Sequence, residues 1–274
     1  AYDPKDFTND TDWIDAITRI APYQNYNVSA SSNDKGLNWY ASLAFTDTEG
    51  IVKDTGYQRV TGRFNFSKDF TSWLNVALKI STNYKRKDMS KAVFSGSGYS
   101  NGAIYLSPVI GEMDESNPFV DNGALINTPV ASIKYEDYYS TGWANTDVLE
   151  FTIKPFKGFT LKSQNSVRLA QDHTYHFWSN KLPKRRDEEG ADAYKYEKED
   201  MLLSTENTAT YKTRIDKRHS IEAMAGFSAS ALKTMNTSVK AEGLIMDDLK
   251  WNNLNGISSK ENYTVNSGLS RIVR

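Results

Sequence analysis

Alternation of side-chain character over short runs constrains this chain more than any other feature, because successive residues of a strand point to opposite faces. From Leu37 one face reads Leu37, Trp39, Ala41, Leu43, Phe45, and the other reads Asn38, Tyr40, Ser42, Ala44, Thr46. Val60, Gly62, Phe64 and Phe66 likewise oppose Arg59, Thr61, Arg63 and Asn65, and Leu74, Val76, Leu78 and Ile80 oppose Asn75, Ala77, Lys79 and Ser81. The pattern predicts an all-β, antiparallel fold of about eight strands, near residues 24–32, 37–47, 58–67, 73–84, 144–154, 159–170, 202–213 and 219–232. The connections alternate in length. Asn33–Gly36, Lys68–Ser72, Pro155–Gly158 and Arg214–Arg218 are tight and carry turn residues, whereas Asp47–Tyr57, Lys85–Trp143, Gln171–Met201 and the stretch after Lys233 are long.

Composition removes several function classes. The 33 Lys+Arg against 34 Asp+Glu leave a net charge of −1, which gives no reason to expect a nucleic acid partner. A mean hydropathy of −0.61 accompanies 16 Tyr, 12 Phe and 6 Trp, and a chain this rich in rings is not a disordered one. No cysteine is present, which excludes disulfides, thiolate metal sites and cysteine nucleophiles. No run approaches the roughly 18 apolar residues of a spanning helix, but a membrane strand needs only about ten residues of alternating character. The acidic opening from Ala1 to Trp13 lacks the pattern of a signal peptide.

Tight turns at one end and long loops at the other match an outer-membrane barrel, with short periplasmic turns and elaborated extracellular connections. Phe66, Phe70, Trp73, Phe156 and Phe159 flank the tight turns, where they suit an interfacial girdle or ordinary cross-strand packing. Arg59, Arg63, Lys79, Lys162, Gln164 and Arg168 share the polar face, which a hydrated lumen tolerates and a dry core does not.

Specific residues then carry a family likeness. Asp47, Glu49, Gly50, Ile51, Val52, Lys53, Gly56, Tyr57 and Arg59, within the run Asp47 to Arg59, resemble the loop between two barrel strands of SusC/RagA-type TonB-dependent transporters. Thr11–Trp13 and Ala21–Ser29 are similar to the stretch by which that family leaves its plug and joins its barrel, and Lys157–Lys162 is similar to one of its periplasmic turns. The resemblance implies a transmembrane β-barrel segment with long extracellular loops, about eight strands of a barrel of about 22. It implies that residues 1–274 are barrel, with the plug domain and the remaining strands outside this chain. It further implies import of glycan or peptide fragments through the outer membrane of a Gram-negative bacterium, driven by TonB, with a SusD-like surface lipoprotein as partner and lipid around the wall. The loop also has a physical reading: Gly50 and Gly56 supply positive φ at the bends, while Ile51 and Val52 form a small apolar anchor.

Chemistry-bearing motifs are sparse. His173 and His176, three apart, fall on opposite faces of a strand, so no metal or other cofactor is expected. Asp187, Glu188, Glu189, Glu197, Glu199 and Asp200 lie among Lys184, Arg185, Arg186 and Lys198 in a run that reads as a solvated loop tip. No enzyme is expected. Within Lys85–Trp143, the rings Tyr99, Tyr105, Tyr135, Tyr138, Tyr139 and Trp143 occur with Asn101, Asp114, Asn117, Asp121 and Asn122, a mixture that suits sugars or peptides. The same residues also suit packing of the loop itself or contact with a partner. Two other classes compete: a soluble or surface-attached all-β carbohydrate-binding module or adhesin built as a sandwich, and a small eight-stranded barrel whose first and last strands pair.

Overall fold

The computed structural model describes residues 10–92, 102–106, 108, 120–121, 124–125, 127–182, 190–216, 219–252, 254 and 263–273. Nine antiparallel strands form one sheet in the order β1-β2-β3-β4-β7-β8-β9-β10-β11. They are β1 Tyr23–Asp34, β2 Leu37–Glu49, β3 Gly56–Thr71, β4 Leu74–Asp88, β7 Glu136–Ile153, β8 Phe159–Trp178, β9 Ala191–Arg214, β10 Ser220–Leu244 and β11 Tyr263–Val273. A two-strand ribbon, β5 Val120–Asp121 with β6 Ala124–Leu125, and two helices, α1 Trp13–Ile17 and α2 Pro129–Tyr135, complete the regular elements. Every neighbour in the large sheet is consecutive along the chain once the ribbon is set aside, so the sheet is a meander.

The tight connections behave as their residues demand. Lys35 and Gly36 both take positive φ between β1 and β2, the handedness that matches strand twist in a two-residue hairpin. Gly158 also has positive φ, and a Cβ there would press on the Lys212 carbonyl, which lies beside the Lys212 N–H donated to Gly158 O at 2.7 Å.

Three expectations need correction. The sheet has a ninth strand, β11, and β8, β9 and β10 run 20, 24 and 25 residues, absorbing much of what reads as long loop. A membrane strand needs only about 9–11 residues, so these strands are about twice that length, the excess lying at the end opposite the tight turns. The small closed barrel is overturned because β1 and β11 are the two edges of the sheet and do not pair. A sandwich is not formed either: among the described residues no second sheet covers either face of this one.

Register shows how the two faces differ. Trp39, Phe66, Leu78 and Leu149 lie in one cross-strand row, Ala41, Phe64 and Ile80 in another. Both rows belong to one face. Leu43, on that face, is 55% exposed, and other large apolar residues of the face, including Val28, Phe64, Leu203 and Phe227, are exposed as well. The opposite face carries Ser42, Arg63, Ser81, Thr146 and Arg168 in a single row. All six residues assigned to a polar face from sequence share it.

The apolar band does not follow the rows. In β2 it runs from Leu37 to Phe45, which the register aligns with Phe227 to Met235 of β10, yet the apolar residues of β10 on that face run from Ile221 to Ala231. A shift of about five residues, or about 17 Å, over six steps of about 4.8 Å corresponds to strands inclined by about 30°. That is close to the tilt of barrel walls. Within β8 and β9 the band also contains Ser163, Asn165, Thr205 and Asn207, which sequence alternation leaves unremarked. They hydrogen-bond one another at 2.9 to 3.2 Å, so their polar atoms find partners without water.

Buried apolar side chains gather at the elaborated end. Trp13, Ile17, Ala92, Ala103 and Leu106 form one cluster with Val52, Val130 and Ile133. Phe177, Ala191, Ala193, Ala241 and Leu244 form another with Trp251 and Leu254.

Candidate functional site

The Gly50–Thr55 loop closes on itself through Gly50 N–H to Thr55 O at 2.8 Å and Thr55 Oγ1 to Val52 O at 2.7 Å. Neither glycine of this loop takes positive φ. Asp54 does so instead, at 60°, and Gly50 is required because a Cβ there would overlap Thr55 Oγ1. Val52 packs against the Trp13 cluster, but Ile51 is 67% exposed, so only half of the expected apolar anchor forms.

The segment around α1 clamps the loop. Arg19 donates Nε to Gly50 O at 3.2 Å and Nη2 to Thr55 O at 3.1 Å, and its Nη1 pairs with Glu49 at 3.0 Å. Lys53 reaches Ala16 O at 2.7 Å. Thus Asp47–Arg59 and the Thr11–Ser29 region, two separate likenesses in the sequence, are one packed unit at the elaborated end. Burial beside Asp137 and Asp88 pushes the Asp54 carboxyl above its usual range, against the pull of Arg19 and Arg86.

The six rings proposed from sequence are not brought together. Tyr99 lies outside the described residues. Tyr105 is exposed beside the Trp13 cluster, and Tyr135 ends α2, whose first turn is capped by Thr128 Oγ1 accepting Ala131 N–H at 3.2 Å. Tyr138, Tyr139 and Trp143 are strand residues of β7, not loop residues, and neighbours alternate in face. Trp143 shares a row with Tyr26, Phe45, Val60 and Tyr84 on the apolar-band face. This exposed ring row lies at the upper border of the band, where the next row of that face carries Gln24, Asp47, Gln58 and Arg86. Trp143 therefore stands in the ring row that borders the apolar band.

Tyr138 joins a stack on the polar face. Its ring lies 4.3 Å from His176, whose other side meets Trp178 at 3.6 Å, and Lys91 sits over Tyr138 and Trp178. His176 is 3% exposed and its Nε2 is 3.1 Å from Glu136 Oε2. Burial draws the His176 imidazole below its ordinary value of 6.5, although Glu136 pulls the other way. Tyr139 belongs to the opposite face, within a cluster of Tyr175, Phe177 and Trp251 whose ring centroids lie 5.1 to 6.5 Å apart. Ala193 and Ala241 leave room for the Trp251 indole, carried by a 3-10 turn at Asp247–Asn252. Lys250 contacts Asp137 and Asp247 contacts Ser179, which holds this turn down. Burial and Tyr175 raise the Tyr139 phenol, with Arg86 opposing from 4.4 Å above its ring.

His173 and His176 do lie on opposite faces of β8, and among the described residues no three potential metal ligands converge. On the polar face, Lys85 of β4 bridges to Asp172 of β8 at 2.8 Å across the intervening strand, which is possible because that strand places Gly142 between them. Lys79 pairs with Glu150 at 3.3 Å. Trp251, Gly142 and the Glu136–His176 pair escaped the sequence reading, because each matters only through partners distant in the chain.

No protein-family model matches the chain. It is 24% identical over 266 residues to TonB-dependent receptor P26 of Formosa agariphila, covering 95% of this chain and 26% of that protein. TonB-dependent receptor SusC of Bacteroides thetaiotaomicron is 28% identical over 116 residues, covering 42% of this chain and 11% of SusC. The RagAB peptide transporter superposes with a TM-score of 0.81 at 21% identity, over 96% of this chain and 30% of that one. The open-open state of the RagAB peptide importer gives the same TM-score of 0.81. The chain spans about a quarter or less of the length of these curated relatives, which are receptors and not enzymes.

Proposed function

We propose, from the premise that this chain is homologous to the TonB-dependent receptors and has the fold of part of their barrel, that it is wall and extracellular loops of an outer-membrane importer of nutrient oligomers. The observation that carries this reading is one sheet, uncovered among the described residues, with a tilted, ring-bordered apolar band on one face and polar, partly ion-paired side chains on the other. Lipid suits the first face and water the second. Open edges at β1 and β11 suit continuation into further strands. The plug and those strands would come from other parts of the protein, TonB would supply the drive, and a SusD-like surface lipoprotein would close the elaborated end. Glycan and peptide fragments are both cargo classes of this reading, with Tyr105, Tyr135 and Tyr138 as candidate contacts and Tyr99 as a further one.

The test is fractionation and uptake in the Gram-negative host. The full-length protein should sediment with outer membranes and leave them only in detergent. Loss of its gene, or of TonB, should abolish growth on the oligomer it imports while sparing growth on the monomer. A full-length protein soluble and monomeric without detergent would overturn the reading in favour of a surface adhesin.

A further inference from the structure

The polar face is not uniform. On β3 and β4 it presents Arg59, Arg63, Lys79, Lys85 and Lys87, and between β2 and β4 the rows that hold them contain no acid on this face. Arg59 and Lys85 are direct cross-strand partners, an arrangement of like charges that costs stability unless something neutralises it. Lys85 turns away to Asp172 and Lys79 to Glu150. Among the described residues Arg59, Arg63 and Lys87 have no ion-pair partner. From Lys87 at the elaborated end to Lys79 near mid-height these cations form a ladder about 27 Å long at the rise of a strand. Hydroxyl and amide groups flank it: Asn25 and Thr46 share the row of Arg59, Ser29, Ser42 and Ser81 the row of Arg63, and Thr61 and Asn83 lie between.

The geometry points to an anionic glycan, an oligosaccharide bearing carboxylate or sulfate groups, as the cargo that passes this wall. This rests on the importer reading above. Unpaired guanidinium groups bind carboxylate and sulfate oxygens through paired N–H donors, and the surrounding hydroxyls and amides both donate and accept, as sugar hydroxyls require. A ladder that runs down the wall, rather than one isolated pair, suits an oligomer that moves from one cation to the next, each site holding it briefly.

The experiment uses the full-length protein purified in detergent, with calorimetric titration of hexagalacturonate, maltohexaose and hexaglutamate. Hexagalacturonate is expected to bind more tightly than maltohexaose, and the double substitution Arg59→Gln with Arg63→Gln is expected to weaken it about tenfold or more. Arg63→Lys, which keeps the charge, should retain most of the affinity, and unchanged heat-modified gel mobility verifies that each variant is folded. Equal binding of charged and neutral hexamers, or no effect of the double substitution, overturns the inference. So does preference for hexaglutamate, which would assign the ladder to acidic peptides. A lowered unfolding temperature in Arg63→Gln but not in Arg63→Lys, with affinity unchanged in both folded variants, would overturn the inference and assign the cations to a resident acidic segment. A separate arm tests the reading beneath: Arg63→Cys should react with a charged, membrane-impermeant thiol reagent and Phe64→Cys should not. The reverse pattern removes the lumen itself, whereas the expected pattern without an anion preference removes only the cargo class.

Discussion

The apolar band and the elaborated end obey opposite rules. In the band, large side chains such as Leu43, Phe64 and Leu203 stand exposed, and no apolar cluster forms among them. Above it, Trp13 is 3% exposed, and two small clusters bury apolar side chains in the manner of a water-soluble domain. The difference teaches where each region gains its stability. The band relies on a continuous ladder of backbone hydrogen bonds between neighbouring strands, with its apolar side chains left uncovered, while the loops make their own dry interiors.

The comparison breaks most visibly at Trp13. Trp13→Ala should cost about 3–5 kcal/mol of local stability, seen as faster amide exchange in the Gly50–Thr55 loop and α2 with the sheet unchanged. If the sheet amides lose protection equally, the two regions are not energetically separate. Next, Leu43→Arg should cost about 2–4 kcal/mol in unfolding from lipid vesicles, whereas Ser42→Arg, one residue away on the polar face, should cost far less. Equal costs would mean that both faces meet the same medium.

A cap substitution is milder: Thr128→Ala should release about 1 kcal/mol from α2 without altering the band, again read by exchange. Acid should act on the elaborated end alone. Because burial lowers the His176 value in the folded chain, its neutral form is the one that stability favours. That contribution is present above 6.5 and is lost as pH falls through the lowered value. Amide protection near Glu136 and Trp178, taken relative to the intrinsic exchange rate at each pH, should therefore fall with acidification, and His176→Gln should flatten the effect. The smallest change is expected from Gly142→Ala, whose methyl group would meet Lys85 and Asp172 and break an exposed ion pair worth less than about 1 kcal/mol.

Legibility follows the same division. The faces of β2, β3 and β4 could be read directly because period two is local: each residue declares its side without reference to any partner. The same reading failed to find β11 and stopped β8, β9 and β10 short, because above the band the apolar–polar alternation fades. It also placed Tyr138, Tyr139 and Trp143 together in a loop, when strand geometry divides them between two faces. The motif run Asp47–Arg59 was visible, but not that Arg19 would clamp it, since a residue 31 positions from Gly50 leaves no local signal.

By itself the sequence determined the antiparallel strands, the tight turns at Gly36 and Gly158, and the assignment of apolar and polar sides over the band. Those depend on φ preferences and on a two-residue repeat, both properties of neighbours in the chain. Tertiary structure alone decided the register that tilts the band, the Lys85–Asp172 bridge over Gly142, the seating of Trp251 against the cluster of Ala193 and Ala241, and the lack of an ion-pair partner for Arg59 and Arg63 among the described residues. Each depends on which distant backbone lies alongside, and cross-strand distance carries no trace in the order of residues.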